Sequence, residues 1–165
     1  MTDANANTSK RSSMDRVRDS ADELGLDIEI RRMDQSTRTA QEAADACGCK
    51  VGQIVKSLVF EDAANGQLIL LLVAGNNNAD IDHLADRYGM KLQRCDTRKV
   101  RNETGFAIGG VAPIGHINPI RTCVDETLLK HDVVWAAAGR PDSVFSVDPN
   151  TLVAAIDAEI ITVMK

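Results

Sequence analysis

Short apolar runs and segments with helical spacing follow one another along this chain. The two most continuous apolar runs, Val55 to Glu61 and Leu68 to Ala74, have the length of strands, and the Asn65-Gly66 pair between them favours a hairpin turn. We therefore predict that these two strands pair antiparallel in the centre of a sheet. Five shorter strands are predicted over Leu26 to Arg32, Arg121 to Val124, Val133 to Ala138, Val144 to Val147 and Glu159 to Val163.

Helical spacing and glycine stops predict helices between these strands. They cover Met14 to Gly25, Thr39 to Cys47, Asp80 to Tyr88 and Thr151 to Ile156. The second of them has three candidate N-caps, Ser36, Thr37 and Thr39. Hairpins mixed with helices favour an α+β domain over a regular βαβ array. The prediction is one domain with a mixed, mostly antiparallel central sheet flanked by helices.

The length of 165 residues suits a single domain with one well-buried core. We assign residues 14–165 to it and expect residues 1–13, which are polar and rich in small side chains, to be a disordered arm. No signal-peptide pattern is present there, and the longest apolar run, Leu68 to Ala74, is too short to cross a bilayer. The expected location is the cytoplasm, with no membrane partner.

The net charge of −5 and the pI near 5.2 argue against a protein that holds nucleic acid, DNA above all, by bulk electrostatics. The segment Lys91 to Arg101 is nevertheless basic and directly precedes a glycine-rich loop. It is either a phosphate-binding surface or a solvated helix face. Asp80 and Asp82, with His83, could be imagined as metal ligands, but capping of a helix N-terminus is favoured, so no metal is predicted.

Gly105 to His116 contains four glycines and one proline in twelve residues, which is typical of a shaped loop. Its spacing fits neither a dinucleotide fingerprint nor a nucleoside-triphosphate loop, so no nucleotide cofactor is predicted. Converging N–H groups in such a loop bind anions or oxyanions. Lys56, at the start of an apolar strand, is either extended to solvent at the sheet end or faces a polar cleft.

Three segments in a fixed order resemble one family. Ile54 to Phe60, which carries the lysine, is followed by Thr104 to His116 with its Gly-Gly-x-x-Pro-x-Gly pattern and then by Ala136 to Gly139. Together they resemble the YbaK/EbsC family, from about Val17 to the C-terminus. That family comprises free-standing aminoacyl-tRNA deacylases and the editing domain inserted into bacterial prolyl-tRNA synthetases.

The resemblance implies hydrolysis of the ester that joins a mischarged amino acid to the terminal ribose of a tRNA, without a cofactor. It implies that Lys56 is the functional lysine and that Gly109, Gly110 and Gly115 belong to the loop that lines the substrate carbonyl. Further residues are expected to bind the substrate: Ser57, Thr37, Thr39, Pro113, His116, Asp125, Gly139 and some of the loop from Gly75 to Asn78. His116 is as well explained as a structural imidazole, and the role of Asp125 is open.

The expected substrate is a small amino acid such as alanine, serine, threonine or cysteine, on tRNA-Pro or a similar tRNA, with a synthetase as a possible further partner. Two other hypotheses remain. The chain could be a non-catalytic adaptor that binds tRNA ends or a synthetase. It could also be a small-molecule or redox protein that uses Cys47 and Cys49, although the four scattered cysteines favour reduced structural thiols.

Overall fold

The computed structural model describes residues 12–34 and 37–165. The helices are α1 (Ser13–Leu24), α2 (Ala40–Cys47), α3 (Ile81–Tyr88), α4 (Thr97–Thr104) and α5 (Pro149–Ile156), with short 3-10 helices at Val51–Gln53 and Glu126–Lys130. The strands are β1 (Ile30–Arg32), β2 (Val55–Asp62), β3 (Leu68–Ala74), β4 (Leu92–Arg94), β5 (Arg121–Asp125), β6 (Val134–Ala137), β7 (Ser143–Val147) and β8 (Glu159–Ile161). The arm predicted for residues 1–13 lies outside the described residues except at Ser12 and Ser13, which cap and begin α1.

The hairpin predicted from the two apolar runs is confirmed. Strands β2 and β3 pair antiparallel, with Val55 opposite Ala74 and Glu61 opposite Leu68. Every residue of β3 is buried, because strands cover both of its edges and side chains cover both of its faces. The five-stranded sheet has the order β4-β2-β3-β5-β8, in which the β3–β5 and β5–β8 pairs are parallel.

A second, antiparallel sheet has the order β1-β7-β6. A parallel bridge between Ile54 and Trp135 joins it to the beginning of β2. The predicted α+β class is confirmed, with the strands divided between two sheets. A cavity opens beside this junction.

Local chemistry sets the helix ends. Thr39 caps α2, since its hydroxyl accepts the N–H of Glu42 at 3.0 Å, and the candidate Ser36 lies outside the described residues. Asp80 caps α3 by accepting the N–H of His83 at 3.1 Å, which confirms capping for this residue. No helix of the described residues is long and apolar enough to span a membrane.

Two clusters of apolar side chains cover the two faces of the five-stranded sheet. The larger cluster includes Val17 and Ala21 of α1, both fully buried, together with Phe106 of the glycine loop and Phe145 of β7. The smaller cluster joins β3 to Leu84 of α3. Helix α1 is therefore part of the core that supports the glycine loop.

The predicted strand from Leu26 to Arg32 is wrong in its first half, because only Ile30–Arg32 pairs with a neighbouring strand. Leu26 instead follows the glycine C-cap of α1 and is buried, and its N–H donates to Ala21 O at 2.8 Å. The pattern also gave no indication of β4 or of the two 3-10 helices. These elements have three to five residues, which is too short for a periodicity.

Candidate functional site

A cavity of about 290 Å³ lies at the junction of the two sheets. Its volume is near the lower end of the range for small-molecule sites, roughly 300–1,000 Å³. The start of β2, the strands β6 and β7, the N-terminal part of α2 and the glycine loop form its walls. The predicted site residues that line it are Thr37, Thr39, Lys56, Ser57 and Gly109, and the rest of the lining is mostly apolar, with Ile54, Ile108, Val111, Trp135, Pro141 and Val144 among it.

Lys56 contributes a positively charged side chain to the cavity wall. It lies on β2 opposite Val73, and its Nζ donates a hydrogen bond to the main-chain oxygen of Asn77. Burial lowers the pKa of Lys56, while the negative charge of Asp125 acts in the opposite direction. The amine is thus held at one position by the chain and has further N–H donors for a ligand.

Asp125 supports this lysine from behind. Its carboxylate is almost completely buried and accepts four hydrogen bonds: from the N–H of Ala74 at 3.0 Å, from Asn77 Nδ2 at 2.9 Å, and from the N–H and the hydroxyl of Thr127 at 3.0 and 2.9 Å. Since Asn77 also receives the bond from Lys56, Asp125 fixes the loop that positions the amine. Asp125 itself does not line the cavity within the described part of the chain.

Ser57 lines the cavity with a hydroxyl that is buried and has no hydrogen-bond partner among the described residues. A buried hydroxyl without a partner costs free energy, so such groups usually meet water or a ligand. The oxygen has almost no accessible surface, so Ser57 belongs to the cavity wall without offering a free hydroxyl to the cavity.

The glycine loop contributes a turn to the cavity wall. The N–H of Gly110 donates to Ala107 O at 3.0 Å, and Gly109 has a φ of +93°, which favours glycine. The N–H groups of Ile108, Gly109 and Val111, all cavity-lining residues, have no acceptor among the described residues. Main-chain N–H groups without an acceptor are the kind of donor that an oxyanion site uses.

The other predicted loop glycines are placed differently. A Cβ on Gly110 would lie 2.9 Å from the Cα of Arg140, and one on Gly115 would lie 3.0 Å from the main-chain oxygen of Arg16. At Gly139, it would lie 2.9 Å from the main chain of Ser13. The structure therefore uses these three glycines for close backbone approach and brings none of them to the cavity lining of the described residues.

His116 and Pro113 are not among the described residues that line the cavity. The Nε2 of His116 is 2.7 Å from Ala112 O, and because a carbonyl only accepts, Nε2 carries the hydrogen of the neutral ring. The ring makes an edge contact with Phe106, with centroids 5.8 Å apart. Burial lowers the pKa of His116. This arrangement fits the structural interpretation of the imidazole, which holds the loop.

Both predicted threonines lie at the cavity, each with its hydroxyl engaged. Thr37 donates to the main-chain oxygen of Pro141, and Thr39 caps α2. The Thr37 bond joins the segment before α2 to the turn between β6 and β7. These hydroxyls shape the wall more than they offer free donors.

Sequence reasoning missed several lining residues: Arg38, Trp135, Pro141 and Ser143. The signal for Trp135 was available, because it is the single tryptophan of the chain and lies in a predicted strand. Arg38 and Pro141 carry no such signal, since their approach depends on the contact between two loops distant in the sequence.

The thiols of Cys47 and Cys49 are poor nucleophiles in this fold. Burial raises the pKa of both, that of Cys49 to about 11 with a contribution from Cys47. Protonated thiols react slowly, so the redox hypothesis loses its support. Among residues 12–34 and 37–165, no group of three or more His, Cys, Asp and Glu side chains is arranged to hold a metal ion.

Comparison with known proteins shows the family of the chain. A family model described as "Aminoacyl-tRNA editing domain" matches residues 34–155. The chain is 27% identical over 140 residues to the uncharacterised protein YwhH of Bacillus subtilis (strain 168), covering 85% of this chain and 88% of the relative. It is 23% identical over 122 residues to EbsC of Enterococcus faecalis (strain ATCC 700802 / V583), named as a candidate Cys-tRNA(Pro)/Cys-tRNA(Cys) deacylase, covering 73% and 74%.

A solved structure is similar over nearly the whole fold. It is the crystal structure of a candidate trans-editing enzyme for prolyl-tRNA synthetase, with a TM-score of 0.86 and 40% identity, and the match covers 94% of this chain and 98% of that one.

Proposed function

Because the chain belongs to the YbaK/EbsC family of aminoacyl-tRNA editing domains, we propose that it hydrolyses the ester of mischarged aminoacyl-tRNA in trans. The observation that carries this proposal is one small cavity lined by Lys56 and by glycine-loop residues whose N–H groups have no acceptor among the described residues. These are donors of the kind that ester hydrolysis requires.

In the proposed mechanism, water attacks the ester carbonyl and the loop donors stabilise the oxygen that becomes negative. The N–H groups of Ile108 and Gly109 supply this charge stabilisation. Lys56 anchors the terminal nucleotide or the aminoacyl group, which keeps the carbonyl in attack geometry. Loss of one oxyanion donor costs about 10²–10³ in rate. Misplacement of the substrate by about 1 Å costs about 10² in rate, so removal of the Lys56 anchor should also slow the reaction strongly.

A side-chain nucleophile is disfavoured by the same geometry. Ser57 has no histidine beside it among the described cavity residues, and the imidazole of His116 is bound to Ala112. The thiols of Cys47 and Cys49 are protonated near neutral pH, since burial raises their pKa. Direct attack by water remains the simplest chemistry.

The cavity supports a small substrate side chain. Its volume of about 290 Å³ must hold the amino acid together with its ester group, so we propose alanine, serine, threonine or cysteine as the residue. Binding distinguishes one methylene by only about 1–3 kcal/mol, which is why errors with small side chains need a second site. The names of two relatives mention proline tRNA or its synthetase, so tRNA-Pro is the first tRNA to test, with a synthetase as a candidate partner.

The test is amino acid release from tRNA-Pro carrying each of the four small residues, with the native protein and Lys56→Ala side by side. We expect release by the native protein and a loss of about a hundredfold in the variant, the cost of a misplaced substrate. Lys56→Arg keeps the charge but changes its geometry, and Lys130→Ala removes an exposed lysine as a control. No release from any ester, with tRNA binding intact, would replace the deacylase with the adaptor.

A further inference from the structure

We propose that Arg31, Arg32, Arg38 and Arg140 form a rim at the cavity mouth that binds the phosphates of the single-stranded 3′ end of the RNA. The proposal rests on the proposed function, since it identifies how the same site would hold the nucleotides upstream of the ester. It assigns RNA recognition to a surface that the sequence pattern does not reveal, because these arginines come from three separate segments.

Two of the rim arginines share one carboxylate. Arg32 donates to Asp142 at 3.0 Å, and Arg140 donates to the same carboxylate at 3.1 Å. Both arginine side chains are half exposed or more, at 59% and 50%. One carboxylate cannot neutralise two guanidinium groups, so positive charge remains at the surface.

Backbone contacts fix these arginines beside the cavity. Arg32 pairs with Ser143, which lines the cavity, and the N–H of Met33 donates to Asp142 O at 2.7 Å. The hydroxyl of Ser143 accepts the N–H of Arg140 at 3.1 Å, which closes the turn. The end of β1 and the β6–β7 turn are thus one unit at the cavity edge.

The other two arginines extend the rim toward the cavity. Arg38 is itself a lining residue and is exposed. The guanidinium of Arg31 lies over the ring of Trp135, 5.0 Å from its centroid, and Trp135 also lines the cavity. Three acids lie near these four arginines: Asp142, Asp34 on the connection from β1, and Glu42, whose carboxylate accepts the Thr39 hydroxyl. The arginines still outnumber them, although the whole chain has a net charge of −5. An anionic backbone is the complementary partner.

The basic segment Lys91 to Arg101 is less suited to this role. Lys99 is bound to Glu61 and donates to Gly66 O at 2.6 Å. Glu61 lies five residues along β2 from Lys56, a separation of about 16 Å in an extended strand. The segment therefore belongs to the hairpin-turn end of the sheet, away from the cavity residues.

The experiment measures binding of an acceptor-stem RNA minihelix that carries no amino acid and has a single-stranded 3′ end. Fluorescence anisotropy follows the binding across a series of salt concentrations. The rim variant is Arg32→Gln with Arg140→Gln. The matched control is Arg98→Gln with Arg101→Gln, which removes two exposed arginines from the basic segment. Each lost contact to a single-stranded phosphate should reduce the slope of log affinity against log salt by about 0.7, so the rim variant should lose about 1.4.

A second variant, which removes a negative charge instead of positive ones, tests the same rim. Asp142→Asn keeps the shape of the shared partner but removes its charge, so we expect tighter binding and a steeper salt dependence. Trp135, the single tryptophan, reports where the RNA binds, since its fluorescence should change on addition of the minihelix and not on addition of a blunt duplex.

Equal binding and equal slopes for the rim and control variants would overturn the proposal, as would an unchanged affinity in Asp142→Asn. The proposed function is tested separately by ester release. In the rim variant, the preference for a minihelix ester over aminoacyl-adenosine, which lacks upstream phosphates, should fall. If the native protein releases neither ester yet the rim variant still loses RNA binding, the deacylase fails and the rim remains.

Discussion

Substitution of Asp125 by asparagine tests whether the buried carboxylate organises the lysine side of the cavity. In the native protein, one carboxylate oxygen accepts from Ala74 N and Asn77 Nδ2, and the other accepts from the N–H and the hydroxyl of Thr127. An asparagine side chain has one oxygen only, so its NH₂ group must face one of two sets of donors, either those of Ala74 and Asn77 or those of Thr127. The least costly orientation is toward Thr127, because that hydroxyl can rotate and accept.

The free energy of this change follows from the bonds that are lost. The orphaned N–H of Thr127 costs about 1–3 kcal/mol, and each of the two remaining bonds loses about 1 kcal/mol when its acceptor is neutral. Removal of a buried charge offsets part of this sum. We therefore expect Asp125→Asn to lower the free energy of unfolding by about 2–4 kcal/mol.

Urea unfolding of Asp125→Asn beside the exposed Asp132→Asn measures this difference. The control should change stability by less than about 0.5 kcal/mol. A second readout is specific to the lysine, because the Asp125 charge opposes the effect of burial on the pKa of Lys56. Without that charge the pKa falls further, so the alkaline limb of kcat/KM, corrected for spontaneous hydrolysis, should move to lower pH. A stability loss below about 1 kcal/mol with an unmoved limb would refute the role given to Asp125.

Three further predictions concern the support of the loop and the thiols. Burial lowers the pKa of His116, so as pH falls below about 6.5 the imidazole takes up a proton in the unfolded chain before it does so in the folded protein. The free energy of unfolding should then decline by up to about 1.4 kcal/mol per pH unit. Urea titrations at several pH values should show that His116→Gln lacks this decline. Gly139→Ala should destabilise more than Gly25→Ala in thermal unfolding, because both glycines have positive φ but only Gly139 would press a Cβ against Ser13; equal losses would contradict the contact. Burial raises the pKa of the Cys49 thiol to about 11, so this thiol should react with a disulfide reagent at pH 7 about a hundredfold more slowly in the native than in the unfolded protein. Equal rates of Cys49 labelling in the two states would restore the redox hypothesis.

The parts of the fold that the sequence predicted are those fixed by local chemistry. The Asn65-Gly66 turn between two apolar runs specifies the hairpin, and Asp80 specifies the beginning of α3. The division of strands between two sheets was not predictable, since the bridge from Ile54 to Trp135 joins residues far apart in the chain.

The candidate site was predictable in its chemistry and less so in its geometry. Lys56 and Gly109 line the cavity, and both stand out in the sequence as a charge in an apolar strand and a glycine in a dense loop. The other glycines satisfy the same pattern for a different reason. A sequence does not distinguish a glycine needed for positive φ, such as Gly109, from a glycine needed because another backbone passes close by, such as Gly110. The structure distinguishes them, since a Cβ on Gly110 would clash with the backbone of Arg140.

These glycine contacts explain why α1 matters to a cavity that it does not line. The first turn of α1 lies against Gly139 on one side and Gly115 on the other, and Arg16 donates to the main-chain oxygen of Gly105. Because both ends of the glycine loop and the β6–β7 turn rest on α1, displacement of this helix must move two walls of the cavity together. The family match begins only at residue 34, so the support of the site extends beyond the matched segment.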